Sequence, residues 1–169
     1  HWAEGSGALN NGDVIDACWS RLTTNQQMWT TGSATTPSAN TGPNTDVSGS
    51  GNYIYTEASR GAGSSWINTP RVFIDTSDQN PHLWFSYHMY GASITSLEVQ
   101  VNDGSGWSAS LLTLTGQQQT AGNLPWLRDS VDLSAYAGDT IEIRFVGQAT
   151  NFTGDIAIDE VMVDEYIFP

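Results

Sequence analysis

Lysine is absent from this chain, cysteine occurs once, and charged residues make up only 14% of it. Five arginines face eighteen acids, which leaves a formal charge of −13 over 169 residues. That balance argues against nucleic acid, because phosphate binding needs a basic surface. An anionic membrane surface is disfavoured for the same reason. The acidity suits a secreted protein kept apart from its copies by its own charge, and clustered carboxylates also suit cation capture. With Cys18 alone, an internal disulfide and a dithiol redox motif are both excluded, and a buried, inert thiol is expected. No stretch approaches the ~20 apolar residues of a membrane helix. No signal peptide is visible, so the chain reads as starting after one or as a piece of a longer protein. No 3.6-residue period of helical length appears either.

What is present is alternation. In HLWFSYHMYGASITSLEVQV (82–101), Leu83, Phe85, Tyr87 and Met89 share one face, and Trp84, His88 and Tyr90 the other. Both faces are apolar or aromatic, as in a strand covered on both sides. Gly91 permits a reversal, and Leu97, Val99 and Val101 then alternate with Glu98, Gln100 and Asn102 in a half-solvated neighbouring strand. Further strands are expected at 52–58, 72–74, 111–114, 128–133, 140–146 and 154–164; residues 13–22 read as a short strand or turn entering the core, and 27–31 contribute Met28 and Trp29 to it. Residues 61–65 read as a breaker, and Asn102-Asp103-Gly104 as a tight turn. The Gly/Ser/Thr/Asn/Pro-rich run 32–51 follows too few residues to be an interdomain linker, so it is read as an ordered loop. Residues 1–12 read as a flexible N-terminal segment or a tag remnant, and 13–169 as one domain. His1 invites an N-terminal copper chelate, but only His82 and His88 exist as partners, and the boundary reading is preferred. Eight to ten strands without helices predict an all-β sandwich of two antiparallel sheets, of jelly-roll type.

The last strand, GDIAIDEVMVD, holds an oddity. Asp159 shares its parity with Ala157, Val161 and Val163, and Glu160 with Ile156, Ile158 and Met162. In a regular strand one acid points with the buried apolar set, where it must be neutralised, hydrogen-bonded or bound to a cation.

An ordered set of segments then resembles the MAM domain, an extracellular jelly-roll module. The set comprises Cys18-Trp19, Trp29, Thr36-Pro37-Ser38, Thr41-Gly42-Pro43 and Asp46, followed by GNYIYTEAS (51–59), WINTP (66–70), FSYHMYG (85–91), LTLTGQQ (112–118), Trp126 and GDIAIDEVMV (154–163). The resemblance covers roughly residues 13 to 165. Animal members usually carry four cysteines in two disulfides, whereas only Cys18 stands here. This departure fits a bacterial relative serving as an accessory module better than an animal adhesion receptor. The resemblance implies a non-catalytic domain. It also implies a structural cation, calcium or sodium, held near the chain ends by Asp46, Asp159 and an acid of the first strand, Asp16 or Asp13. Hard oxygen ligands suit calcium.

Enzyme chemistry finds no Gly-x-Ser-x-Gly, His-Glu-x-x-His or paired Cys/His, and the glycosidase pair Glu57–Asp159 is no more than any acidic sandwich offers. A binding module remains. Polysaccharide is the first ligand class, with Trp107 beyond the tight turn as stacking platform. Trp126, Tyr136 and Trp66 come next, and Asn102, Asp103 and Gln117–Gln119, Gln118 among them, are polar partners. Trp19, Trp29 and Trp84 are expected in the core. Protein–protein adhesion is the alternative, marked by a contiguous exposed apolar patch. The expected setting is a secreted or cell-surface protein, with this chain a monomeric module of it, no membrane insertion and no nucleic-acid partner.

Overall fold

Cross-strand alternation produces two six-stranded sheets in the computed structural model, which describes residues 18–22 and 27–164 together with the backbone of 166–167. His1, the segment 1–12, Asp13 and Asp16 lie outside the described residues. The strands are β1 (Ser20–Arg21), β2 (Met28–Gly32), β3 (Tyr53–Glu57), β4 (Gly63–Asn68), β5 (Val72–Phe73), β6 (His82–His88), β7 (Ile94–Asn102), β8 (Leu112–Thr115), β9 (Leu127–Asp132), β10 (Thr140–Ala149), β11 (Ala157–Val163) and β12 (Tyr166–Ile167). The first sheet runs β1-β4-β10-β7-β8, with β5 also on β10. The second runs β2-β3-β11-β6-β9, with β12 also on β11. All named pairs are antiparallel. The fold is therefore the expected all-β sandwich.

The inner faces meet through the period-two sets. Leu83, Phe85, Tyr87 and Met89 of the second sheet pack against Val99, Val101, Ile141, Ile143 and Phe145 of the first. Phe85 and Phe145 bridge the layers edge to face at 5.1 Å and 75°, an arrangement worth about 0.5–1.5 kcal/mol beyond its buried area. Trp19 and Trp29 are buried as expected. Cys18 is exposed rather than buried.

Four further expectations are corrected. First, β6 and β7 are not neighbours, since β6 lies between β11 and β9 while β7 lies between β10 and β8. The reversal at Gly91 carries the chain from one sheet to the other. A Cβ there would lie 2.4 Å from the Thr153 carbonyl oxygen, so the crossing needs glycine's bare backbone. Second, 63–65 is not a breaker but the start of β4, because Gly63, Ser64 and Ser65 pair with Ala149, Gln148 and Gly147 of the long strand β10. Third, Trp84 is 37% exposed, on the outer face of β6. Fourth, β11 is irregular. Its register with β6 shifts between Asp159 and Met162, and Glu160 takes φ +49. This bulge lets Ile158 and Val161 both face the core, so the parity argument fails after residue 159. Asp159, 7% exposed, points with Ala157 to the outer face.

That outer face is nevertheless covered. The 33–51 loop is ordered, as expected, and lies over the second sheet. Gly42 N–H donates to the Tyr90 carbonyl at 2.8 Å, Val47 N–H to Asp159 Oδ2 at 3.0 Å, and Asp155 N–H to Thr41 Oγ1 at 2.8 Å. The Tyr53 hydroxyl donates to the Ala34 carbonyl. A second, polar buried layer results: Tyr53, Tyr55, Glu57, His88 and Asp155 are all 3% exposed or less.

Candidate functional site

Among the described residues no loop comparable to 33–51 lies over the outer face of the first sheet, and the side chains on that face follow from strand register. On β10, Ile141, Ile143 and Phe145 point inward, so Glu142, Arg144, Val146 and Gln148 point out. Arg144 lies opposite Asn68 of β4 on one side and Gln100 of β7 on the other. Its Nε donates to Asn68 Oδ1 at 3.1 Å, and Asn68 Nδ2 donates to Glu142 Oε1 at 3.1 Å. Two indoles flank the guanidinium. Its carbon sits 3.6 Å from the Trp107 ring centroid and 4.6 Å from that of Trp66, well inside cation–π range. Partial burial lowers the Arg144 pKa, with Glu142 acting in the opposite direction.

Trp107 reaches this place through the tight turn. Asn102 Oδ1 accepts the N–H groups of Gly104 (2.8 Å) and Gly106 (3.3 Å), and Gly104 takes φ +105. A single antiparallel bridge then joins Asn102 and Trp107. The half-buried Trp107 lines a shallow pocket of about 140 Å³ with Tyr136, Asp103, Val101, Ser105, Gly106 and Ser108. Asp103 Oδ1 accepts the Ser105 hydroxyl (2.6 Å) and N–H (2.9 Å), which together hold its carboxyl below the usual range. The structure thus brings together Trp107, Tyr136 and Asp103, with Asn102 forming the turn that positions Trp107 and Asp103.

Trp126 and Gln118 are not part of this pocket. Trp126 belongs to the polar layer on the other sheet, where its Nε1 donates to the Thr45 carbonyl at 3.0 Å. Its ring meets Tyr53 and His88 edge-on at 5.7 and 5.6 Å. Gln118 is exposed and donates through Nε2 to the Thr115 carbonyl, with its backbone N–H on the Met89 carbonyl. Sequence reasoning missed Arg144 and Asn68. Their outward positions are visible in the alternation of β10 and in WINTP, but nothing local places two tryptophans about them.

The cation residues are gathered in part. Val47, the neighbour of Asp46, donates to Asp159, so the two acids approach where the loop meets the bulge of β11. Asp46 is 6% exposed, and its Oδ2 accepts the Ser48 hydroxyl at 2.6 Å. Its Oδ1 is buried with no hydrogen-bond partner among the described residues. Burial raises the Asp46 pKa, but the Ser48 hydroxyl and the amides of Gly51, Ser48 and Gly49 lower it further, so the carboxylate is ionised. An orphaned, ionised oxygen fits a hard cation. Among the described residues no three of His, Cys, Asp and Glu are grouped to hold a metal, and Asp16 lies outside them.

The family model for the MAM domain (meprin/A5/mu) matches residues 11–166. The chain belongs to the MAM family. Neuropilin-1a of Danio rerio is 32% identical over 140 residues, a match that covers 80% of this chain and 15% of that protein. This MAM domain therefore spans a small part of that relative's length. Among solved structures, the K1 cleaved adhesin domain of Lys-gingipain from Porphyromonas gingivalis W83 superposes with a TM-score of 0.62 at 20% identity, covering 89% of this chain and 92% of that one. TmCBM61 in complex with β-1,4-galactotriose gives 0.53 at 13% identity, covering 87% and 88%. At these identities the likeness is one of fold.

Proposed function

We propose that this MAM domain is a non-catalytic, extracellular binding module whose ligand is a polysaccharide, carried within a larger secreted or surface protein. The observation that supports it most is the Trp107–Tyr136 pocket, set beside the Trp66–Arg144–Trp107 stack on an open sheet face. Indole and phenol rings offer flat apolar surface to the C–H faces of a pyranose, while Ser105, Ser108 and Asp103 border them with hydroxyls and a carboxylate. The fold likeness to TmCBM61, solved with a bound galactotriose, agrees with this reading. The pair of acids considered for glycoside hydrolysis, Glu57 and Asp159, is 0% and 7% exposed, which leaves a substrate no access.

Affinity electrophoresis on a panel of plant and marine glycans tests the assignment. The wild-type chain is expected to be retarded by at least one glycan. Trp107→Ala should weaken that retardation by about 1–3 kcal/mol, by analogy with base stacking on aromatic rings. No retardation on any glycan refutes the function, and retardation that survives Trp107→Ala refutes the site. A protein partner is the second reading. It draws on Trp84, which lies exposed on the outer face of the second sheet with Arg128 5.3 Å from its ring centroid and Met162 opposite in register.

The same reading includes a structural calcium or sodium ion held by Asp46 and Asp159, with Asp16 as third acid. It would fasten the 33–51 loop to β11 through hard oxygen ligands.

A further inference from the structure

The open sheet face holds one cation whose donors are mostly uncommitted. Arg144 gives its Nε to Asn68, and among the described residues neither Nη1 nor Nη2 has a hydrogen-bond partner. Arg71 and Arg128 likewise give one donor each, to the Thr140 carbonyl and to Met162 Sδ, and Arg21 donates to the Trp29 carbonyl; what sets Arg144 apart among the described residues is the pair of indoles against it. The Arg144 guanidinium is also held still, with an indole at 3.6 Å, a second at 4.6 Å and a hydrogen bond on its edge. A planar fork fixed in this way matches two coplanar oxygens, the geometry of a carboxylate. Resting on the glycan-binding reading above, we propose that Arg144 selects glycans carrying a carboxylate, that is, chains containing uronic acid.

Two features of the chain oppose such a ligand, and they make the proposal sharp. Glu142 stands two residues from Arg144 on the same face and bonds to the same Asn68. The whole chain carries −13. Both repel a polyanion, but over different ranges. The net charge acts through solvent and is screened within ~10 Å at 0.1 M salt. The Arg144 contact is short-ranged and lies between two rings, where screening is weak. Affinity for a uronate chain is therefore expected to rise with salt before it levels off, opposite to the usual behaviour of a protein that binds a polyanion through a basic surface.

The test uses the full chain in affinity electrophoresis and calorimetry against polygalacturonate, alginate and hyaluronan, each paired with its carboxyl-reduced form. At least one native polymer should bind more tightly than its reduced form, and its binding should strengthen from about 0.02 M to about 0.5 M sodium chloride. Arg144→Gln should weaken binding of that polymer about ten- to a hundredfold more than it weakens binding of the reduced form, the range of a hydrogen-bonded charge. Glu142→Gln should strengthen the acidic ligand. If Arg144 served only to hold Trp107 in place, Arg144→Gln would weaken both forms alike, and the proposal would fall. Reduced forms that bind as well as the native ones at high salt also overturn it, yet leave the glycan-binding function standing. Failure to bind any glycan, acidic or neutral, removes both.

Discussion

The polar layer beneath the 33–51 loop holds two groups whose protonation should oppose one another across the acid range. Asp155 is fully buried. Loss of solvent pushes its carboxyl up to about 7, and the charge of Glu57 adds to the shift. The Ala58 amide and the Thr36 hydroxyl pull it back only in part. His88 is also fully buried, with neither ring nitrogen hydrogen-bonded among the described residues, and burial pushes it down to about 4. Between pH 4 and 7 the folded chain therefore keeps a proton on Asp155 that the unfolded chain has released. Stability from that proton is full below the unfolded value near 4 and is lost as pH rises through 7. Between pH 6.5 and 4 the unfolded chain charges its histidine while the folded chain does not, so stability is lost as pH falls. Each unit of mismatch is worth about 1.4 kcal/mol. Asp155 thus contributes a total of about 4 kcal/mol of falling stability, and His88 about 3 kcal/mol of rising stability. Between pH 4 and 6.5 the two slopes cancel. Tyr53 and Tyr55, pushed further up by burial and by the neighbouring acids Asp155 and Glu57, stay protonated throughout.

Substitution separates the pair. Asp155→Asn retains an oxygen for the Ala58 amide but removes the titration. Its stability should rise relative to wild type by roughly 3 kcal/mol from pH 4 to pH 6.5. His88→Phe keeps a ring against Trp126 and should fall relative to wild type by a similar amount over the same interval. Guanidinium unfolding followed by tryptophan fluorescence at half-unit pH steps measures both, with the wild-type profile as reference. An Asp155→Asn profile parallel to wild type would refute the claim that Asp155 holds a proton in the folded state, and with it the closed character of this layer.

Two more perturbations follow. If Asp46 and Asp159 hold a calcium ion, a free concentration a hundredfold above Kd adds ~2.7 kcal/mol; chelator should lower the melting temperature of wild type but not of Asp159→Ala, and an unchanged wild-type curve counts against an exchangeable ion. Gly91→Ala would place a methyl 2.4 Å from the Thr153 carbonyl and 2.7 Å from Thr41 Oγ1. It should cost roughly 1–3 kcal/mol as an overpacked crossing, and a denaturation midpoint within error of wild type would contradict the close approach.

Much of the sandwich was legible because a strand with one buried face writes itself as alternation. That is why β3, β6, β7 and β10 fall close to where the pattern puts them. The misses share a cause: each depends on a partner distant in sequence. Gly63-Ser64-Ser65 has little strand propensity of its own and is extended because β10 supplies its hydrogen bonds. The bulge at Glu160 cannot be seen in GDIAIDEVMV, since strict alternation and alternation with one inserted residue account for its apolar residues equally well. A strand read as covered on both faces does not announce what covers it. On β6 the ring of Trp126, itself bonded to the Thr45 carbonyl of the 33–51 loop, lies against His88, while Trp84, four residues earlier, stands exposed.

The candidate site was legible only as separate pieces for the same reason, and this bears on how firmly it is held. Trp66, Arg144 and Trp107 come from β4, from β10 and from beyond the end of β7, and they meet through register. Val146 lies opposite Trp66, Arg144 opposite Asn68, and Glu142 opposite Asn102, whose bridge fixes Trp107. A slip of one residue along β10 would turn Ile143 and Phe145 outward and Arg144 into the core. The burial that sets the sandwich in place therefore also fixes the guanidinium between its two rings. Among the described residues these side chains are arranged without a ligand, so the entropy of arranging them is already spent in folding. A site of this kind should bind with little change in shape, so its selectivity rests on the chemistry of Arg144 and Glu142 rather than on closure around the ligand.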